Sequence, residues 1–172
     1  MKELIYYTTT TSPIGTLILC SSLKGLISID FLINLSETDV ICNISSKFIC
    51  EKVNNDHKIF ISPVKELSDY FLGNLKYFSI ALDIRGTNFQ KSVWKSLINI
   101  PYGETVSYSS IAKLIGNEKA SRAIGQANNK NPIPIIIPCH RVIGKNGKLV
   151  GYSEGLSIKK WLLDHEVIFK YK

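Results

Sequence analysis

Ser107-Tyr108-Ser109-Ser110-Ile111-Ala112-Lys113-Leu114-Ile115-Gly116-Asn117-Glu118-Lys119-Ala120-Ser121-Arg122-Ala123-Ile124-Gly125-Gln126-Ala127-Asn128 is the stretch that decides the fold of the second half of the chain. Ser107 is suited to cap a helix over 108–115, because its hydroxyl can accept from a backbone N–H that the first turn leaves without a partner. Gly116-Asn117 predicts a tight turn, and Ala120, Ala123, Ile124 and Ala127 recur at helical spacing, predicting a second helix over 119–128. Helix, glycine turn, helix is the helix-turn-helix layout. The small residues Ala120, Ala123, Gly125 and Ala127 let this second helix lie close to a neighbouring helix or to DNA, ordinary packing being the commoner reason for alanines. Arg122 is the long basic side chain among these small residues, which makes it a candidate for contact with DNA.

Upstream, Val93, Trp94, Leu97 and Ile98 follow Asn88-Phe89-Gln90 at helical spacing and precede the turn Pro101-Tyr102-Gly103, predicting a helix over 89–99. At Asp83-Ile84-Arg85-Gly86-Thr87 the pattern changes from strand-like to helical, and charge changes with it. Residues 1–87 hold 8 Lys+Arg against 9 Asp+Glu, whereas residues 88–172 hold 13 against 5. The formal net charge of +7 thus arises entirely in the second half, which favours a polyanionic partner there through phosphate contacts and counterion release. In the first half, 15–21 and 25–31 read as a strand hairpin and 58–61 as a further strand. Ser62-Pro63 opens a helix with Val64, Leu67, Tyr70 and Phe71 on one face, Pro63 at its first position and Gly73 ending it. Residues 34–55 yield little beyond a strand near 46–50. The fold class expected is α+β: a small N-terminal α/β domain, 1–87, followed by a mainly helical domain, 88–172.

A chain of 172 residues with 45% hydrophobic residues can bury one sizeable core or two small ones. Its apolar runs fall far short of the roughly 20 residues that cross a bilayer, and its N-terminus has no apolar core before a small-residue cleavage site, so a cytoplasmic location is expected. Cys20, Cys42, Cys50 and Cys139 include no C-x-x-C pair, and neither a disulfide nor a metal is expected. Downstream, Asn131-Pro132-Ile133-Pro134-Ile135-Ile136-Ile137-Pro138-Cys139-His140-Arg141-Val142 carries three prolines and a branched apolar run among its residues, predicting a stiff, extended, buried segment. A bare Cys-His pair is more often two core residues. Here, positive charge from His140 and Arg141 would favour the Cys139 thiolate and make a nucleophile.

Pro138-Cys139-His140-Arg141-Val142 resembles the active-site motif of the O6-alkylguanine-DNA alkyltransferases. The resemblance continues through Ile100-Pro101-Tyr102-Gly103-Glu104-Thr105, Ser107-Tyr108, Ala120-Ser121-Arg122-Ala123 and Gly151-Tyr152-Ser153 to Trp161-Leu162-Leu163-Asp164-His165-Glu166, and more weakly into the first domain at Ser12-Pro13-Ile14-Gly15. It implies a ribonuclease H-like first domain and direct-reversal DNA repair, with an alkyl group moving once and irreversibly from guanine O6, or less efficiently from thymine O4, to Cys139. His140 then matches the residue that takes the thiol proton by way of a water, Glu166 the carboxylate that orients it, Asn131 the brace of the active-site turn, and Tyr108 the donor toward guanine N3. Tyr152, Ser153 and the backbone at Val142 match the base pocket. Arg122 matches an arginine finger, with Ala120, Ser121, Gly125 and Arg141 among the DNA-contacting positions. The partner implied is double-stranded DNA, entered through the minor groove after nucleotide flipping, by a monomer with no cofactor.

Two positions depart from the family pattern. Glu154 stands where members often have glycine, placing a carboxylate at the pocket rim, and the positions at which some vertebrate relatives bind zinc carry Glu3, Ser22 and Ile27, which are no ligand set. Two other function classes explain less. A helix-turn-helix regulator or alkyl-damage sensor accounts for the charge but not for the Cys-His-Arg segment, and a cysteine hydrolase would have nucleophile and base adjacent in sequence, whereas these usually meet through the fold.

Overall fold

Isoleucine, leucine and threonine dominate the strands of the N-terminal region: β1 (Leu4–Ser12), β2 (Gly15–Ser22) and β3 (Gly25–Phe31). The computed structural model describes residues 2–33 and 36–172, so residues 34 and 35 of the 34–55 stretch lie outside it. The β2–β3 hairpin forms as expected, with Leu17 opposite Phe31 and Cys20 opposite Ser28. β1 was not foreseen, because Thr8 to Ser12 read as polar; threonine is β-branched and suits a pleated surface, and β1 pairs with β2 through Tyr7 opposite Cys20. β4 (Ile49–Lys52) lies parallel to β1, giving the order β3-β2-β1-β4.

Every residue from Leu17 to Ser22 is buried, as an inner strand covered on both faces requires. α1 (Glu37–Ser45), also unforeseen, packs Val40, Ile41 and Ile44 on the face that carries Ile18 and Cys20. A capping box starts it: Ser36 Oγ accepts from Asp39 N while the Asp39 carboxylate accepts from Ser36 N. The expected strand at 58–61 is instead a turn that winds into α2 (Ile61–Phe71), with Phe60 N and Ile61 N donating to His57 O at 2.7 and 3.3 Å. Phe60 is fully buried, so its apolar character reports an anchor at the start of the helix rather than strand pairing, and Pro63 occupies the third helical position, not the first.

The chain divides into two compact units, Met1–Ile84 and Arg85–Lys172. In the second, α3 (Asn88–Ile98) is started by a capping box between Thr87 and Gln90, and its Trp94 is buried with Nε1 donating to Ala127 O at 2.9 Å. β5 (Val106–Ser107) leads into α4 (Tyr108–Leu114), where Ser107 Oγ accepts from Ser110 N at 3.1 Å, the cap expected. The chain reverses at Gly116, whose φ of +72° needs glycine. A single 3-10 turn, Glu118–Ala120, precedes α5 (Ser121–Asn129), so the second helix begins two residues later than its spacing predicted. β6 (Val142–Ile143) pairs parallel with β5, and α6 (Leu156–Phe169) closes the unit. The architecture is a mixed α+β fold: a small sheet in the first unit, a mainly helical second one.

Candidate active site

The segment 133–138 is buried, with Pro132 half-buried before it, but it is not extended. Prolines 132, 134 and 138 have no N–H to give, and Asn131 supplies the missing connections: its Nδ2 donates to Ile137 O at 2.7 Å and its Oδ1 accepts from Ile133 N at 3.1 Å. Ile137 N also donates back to Ile133 O at 2.9 Å, closing a turn that forces Ile135 to a φ of 74°. A β-branched residue in that left-handed region is strained by about 1–3 kcal/mol, and full burial of its side chain within the loop holds it there. The turn delivers Cys139 to the start of a 3-10 turn, Cys139–Arg141, where its Sγ accepts from Asn131 Nδ2 at 3.0 Å.

One helix face supplies the charges around this turn. Ile158, Lys159, Leu162, His165 and Glu166 form the buried face of α6, placing Lys159 and Glu166 two turns apart, about 10 Å along the axis. Glu166 Oε1 lies 2.7 Å from His140 Nε2 and 2.9 Å from Arg141 Nη2, and its Oε2 accepts from Arg141 Nε at 2.9 Å and from Gly103 N at 3.0 Å. Arg141 Nη1 donates to Ile100 O at 2.6 Å and its guanidinium lies over the Tyr102 ring. Burial alone would raise the Glu166 carboxyl, but hydrogen bonds and charge from His140 and Arg141 outweigh it and hold it well below the usual carboxylate range. Burial pushes the His140 imidazole down, against the pull of Glu166. A neutral imidazole facing an ionised carboxylate carries its proton on Nε2, which leaves Nδ1, buried and without a hydrogen-bond partner among the described residues, as the basic nitrogen.

This corrects two expectations. Arg141 is 5% exposed with its guanidinium bound inside the unit, so its side chain belongs to the Glu166 network and not to a DNA surface. Cys139 is not acidified: burial pushes its thiol up to about 12, Glu154 adds to the rise, and the Asn131 hydrogen bond and Lys159 only oppose it. The physical reason is charge cancellation. Glu166 neutralises Arg141, and a neutral His140 adds nothing, so the adjacent motif residues generate no positive field at sulfur. A thiol in this state needs a base at the moment of reaction.

Tyr108, half-buried at the start of α4, donates to Val150 O at 3.2 Å; burial raises its phenol, and both Asn128 and Cys139 influence it. Tyr152 is half-buried, and Ser153 is exposed with its hydroxyl donating to the Glu154 carboxylate at 2.7 Å, so the serine and the unusual glutamate form one unit. Of the expected DNA-contacting positions, Arg122 is exposed, Ser121 and Gly125 are half-buried, and Ala120 is 8% exposed, so its methyl packs inward.

Lys159 was overlooked. It is fully buried, and its Nζ donates to Val142 O at 2.6 Å, Val150 O at 2.9 Å and Gly151 O at 3.3 Å, joining α6 to the segments that carry Val142, Tyr152 and Ser153. Its signal was available in Ile158, Leu162 and Glu166, which put it on the inner face. Burial pushes the ammonium down to about 8 from 10.5. A depressed folded value means that stability is highest above 10.5 and declines as pH falls toward 8; Lys159→Met is expected to flatten that part of a urea-unfolding profile against pH.

Among the described residues no group of three or more His, Cys, Asp or Glu could hold a metal, and no helix is long and apolar enough to cross a membrane. The second unit thus holds a buried thiol in the same 3-10 turn as a histidine paired with a carboxylate, together with an exposed arginine on a short helix. Residues 88–168 match the family described as 6-O-methylguanine DNA methyltransferase, DNA binding domain, and residues 5–84 match its ribonuclease-like domain. A methylated-DNA–protein-cysteine methyltransferase of Methanosarcina acetivorans is 47% identical over 94% of this chain and 98% of its own, and one of Mycobacterium tuberculosis is 44% identical over 95% and 93%. The crystal structure of the Mycobacterium tuberculosis O6-methylguanine methyltransferase superimposes with a TM-score of 0.82 at 43% identity, covering 95% of this chain and 93% of that one; a structure of the same organism's protein in complex with DNA gives 0.81 at 43% identity, covering 95% and 94%. The chain belongs to the methylated-DNA–protein-cysteine methyltransferase family: it is a DNA-binding enzyme of DNA repair that works by alkyl transfer.

Proposed function

We propose that the protein removes the alkyl group from O6-alkylguanine, and less efficiently from O4-alkylthymine, in duplex DNA by one irreversible transfer to Cys139, acting as a monomer. The observation that carries this reading is the thiol itself, buried and held by Asn131 at 3.0 Å, next to a histidine with one nitrogen bound to Glu166 and the other without a partner among the described residues. His140 Nδ1 takes the Sγ proton, directly or through a water, as sulfur bonds to the alkyl carbon and the carbon–O6 bond breaks. The electron pair goes to guanine, Tyr108 donates toward N3 to stabilise it, and the proton that left sulfur balances the one guanine takes up. Tyr152, Ser153 and the Val142 backbone bound the base. The thioether has no route back to thiol in this site, so each molecule acts once.

In this reading, residues 88–172 form the alkyltransferase domain and residues 1–87 a ribonuclease H-like partner domain. α4, the Gly116 turn and α5 act as a helix-turn-helix in the minor groove, where sequence is poorly read and damage can be found in any context. The alkylated base must leave the stack, at a cost of a few kcal/mol, and Arg122 fills the space it vacates. Intact mass after incubation with a duplex containing O6-methylguanine tests the function: one added methyl per molecule is expected, and an unchanged mass overturns it. Arg122→Ala should slow repair of that duplex by about 10- to 100-fold while leaving reaction with free O6-benzylguanine nearly unchanged, because only the duplex demands flipping. Equal losses on both substrates would remove the arginine from that role.

A further inference from the structure

Asn128 lies in the last turn of α5 and is 4% exposed, yet neither its amide oxygen nor its amide nitrogen has a hydrogen-bond partner among the described residues. Native folds rarely bury an amide in this state, and where they do the group calls for an explanation. The surrounding backbone is already committed: Ala127 O accepts from the Trp94 indole and Asn128 O accepts from Asn131 N at 3.1 Å. Only the side chain is left over. The Tyr108 ring packs beside Gly125, where an added Cβ would lie 3.9 Å from its Cε1, and Asn128 stands one turn further along the same helix. Asn128 and Tyr108 therefore border one space, in which the amide favours the ionised phenol without making a formed hydrogen bond. In it the Tyr108 hydroxyl rests on Val150 O at a long 3.2 Å, a bond that uses its proton and leaves its lone pairs able to accept.

We propose that Asn128 is a positioning residue that completes the Tyr108 hydroxyl during transfer: as the phenol leaves Val150 O and donates to the base, Asn128 Nδ2 donates to the phenol oxygen. This rests on the reading of Tyr108 as the group facing the base. Accepting one hydrogen bond strengthens a hydroxyl as donor of the next, so the amide that is idle at rest acts only when the base is present.

The test is a double-mutant cycle read by single-turnover methyl transfer from a duplex containing O6-methylguanine, with the parent, Asn128→Leu, Tyr108→Phe and the double variant. Asn128→Leu should slow transfer about 5- to 10-fold in the parent, the size of one hydrogen bond, and by less than about 2-fold in the Tyr108→Phe background. Its thermal midpoint should equal or exceed that of the parent, since an unpaired amide contributes nothing to the resting fold. Asn128→Ala, which cannot overpack, should repeat the kinetic pattern. Equal slowing in both backgrounds, or a lowered midpoint with no coupling to Tyr108, overturns the proposal and makes Asn128 a structural amide. A parent that gains no methyl overturns the proposed function itself, and the Asn128 role with it. A Tyr108→Phe variant that keeps the full rate removes Tyr108 and Asn128 together while leaving alkyl transfer to Cys139 intact.

Discussion

Cys139→Ser leaves the protein unmethylated: single-turnover transfer falls by at least about 10⁴-fold, as loss of a nucleophile does where no other group can replace it. The serine hydroxyl can still accept from Asn131 Nδ2, and that amide keeps its bond to Ile137 O, so the fold of the loop survives the exchange. Arg122 and the exposed basic side chains are untouched, so duplex affinity is expected to stay within about 3-fold of the parent, because affinity for DNA comes from phosphate contacts. Intact mass and peptide mapping check the first outcome and a binding titration at fixed salt the second. A methyl group mapped to Cys20, Cys42 or Cys50 would overturn the assignment of the acceptor.

Glu166→Gln acts on stability and chemistry at once. The carboxylate accepts from His140, twice from Arg141 and from Gly103 N, and it is the counter-charge of a guanidinium that is 5% exposed. An amide keeps the shape but offers one acceptor oxygen and no charge. Arg141 is then a buried cation without its partner, which costs about 3–5 kcal/mol, read as a lowered urea midpoint at unchanged slope. The pH dependence follows from the depressed Glu166 value. A carboxyl held below its ordinary 4.5 stabilises the fold above that pH and loses its contribution as pH falls further, so the parent should shed this advantage in acid and the variant should have none to shed. The same exchange removes the negative charge that favours imidazolium, so His140 becomes a weaker base toward a thiol already raised to about 12, and the transfer profile should move to higher pH. Superimposable rate profiles for parent and variant would make Glu166 purely structural.

What the sequence revealed depended on whether a signal was local. The spacing of Val93, Trp94, Leu97 and Ile98 and the cap at Ser107 are signals complete within a few turns, and α3 and α4 were placed to within a residue at their starts. The Pro138-to-Val142 motif supplied the candidate acceptor, and the structure places Asn131 Nδ2 on Cys139 Sγ and pairs His140 with Glu166. The misses were tertiary. β1 hid in a threonine run and α1 in a polar stretch whose only buried residue is Val40, so neither has the apolar periodicity on which recognition depends. Two basic residues near the thiol suggested an activated thiolate, but the sign of the local field depends on Glu166, twenty-five residues after Arg141 in the chain, and on burial. A lysine on a helix is ordinarily solvated, and only the company of Ile158 and Leu162 marks Lys159 as an inner residue.

The tie between the Trp94 indole and Ala127 has an optical consequence. The chain has two tryptophans, Trp94 and Trp161, and both lie within Arg85–Lys172. Emission excited at the red edge of the aromatic band therefore comes from that unit alone, while the unit ending at Ile84 is dark in that window and visible only in signals summed over the whole backbone. Trp94 loses its carbonyl partner when α3 and α5 separate, and Trp161, stacked on His165 at 4.9 Å, loses a quencher when α6 unwinds. The protein thus carries built-in probes at two points of one unit, and a melt followed by fluorescence and by far-ultraviolet dichroism distinguishes units that unfold in one step from units that unfold in turn.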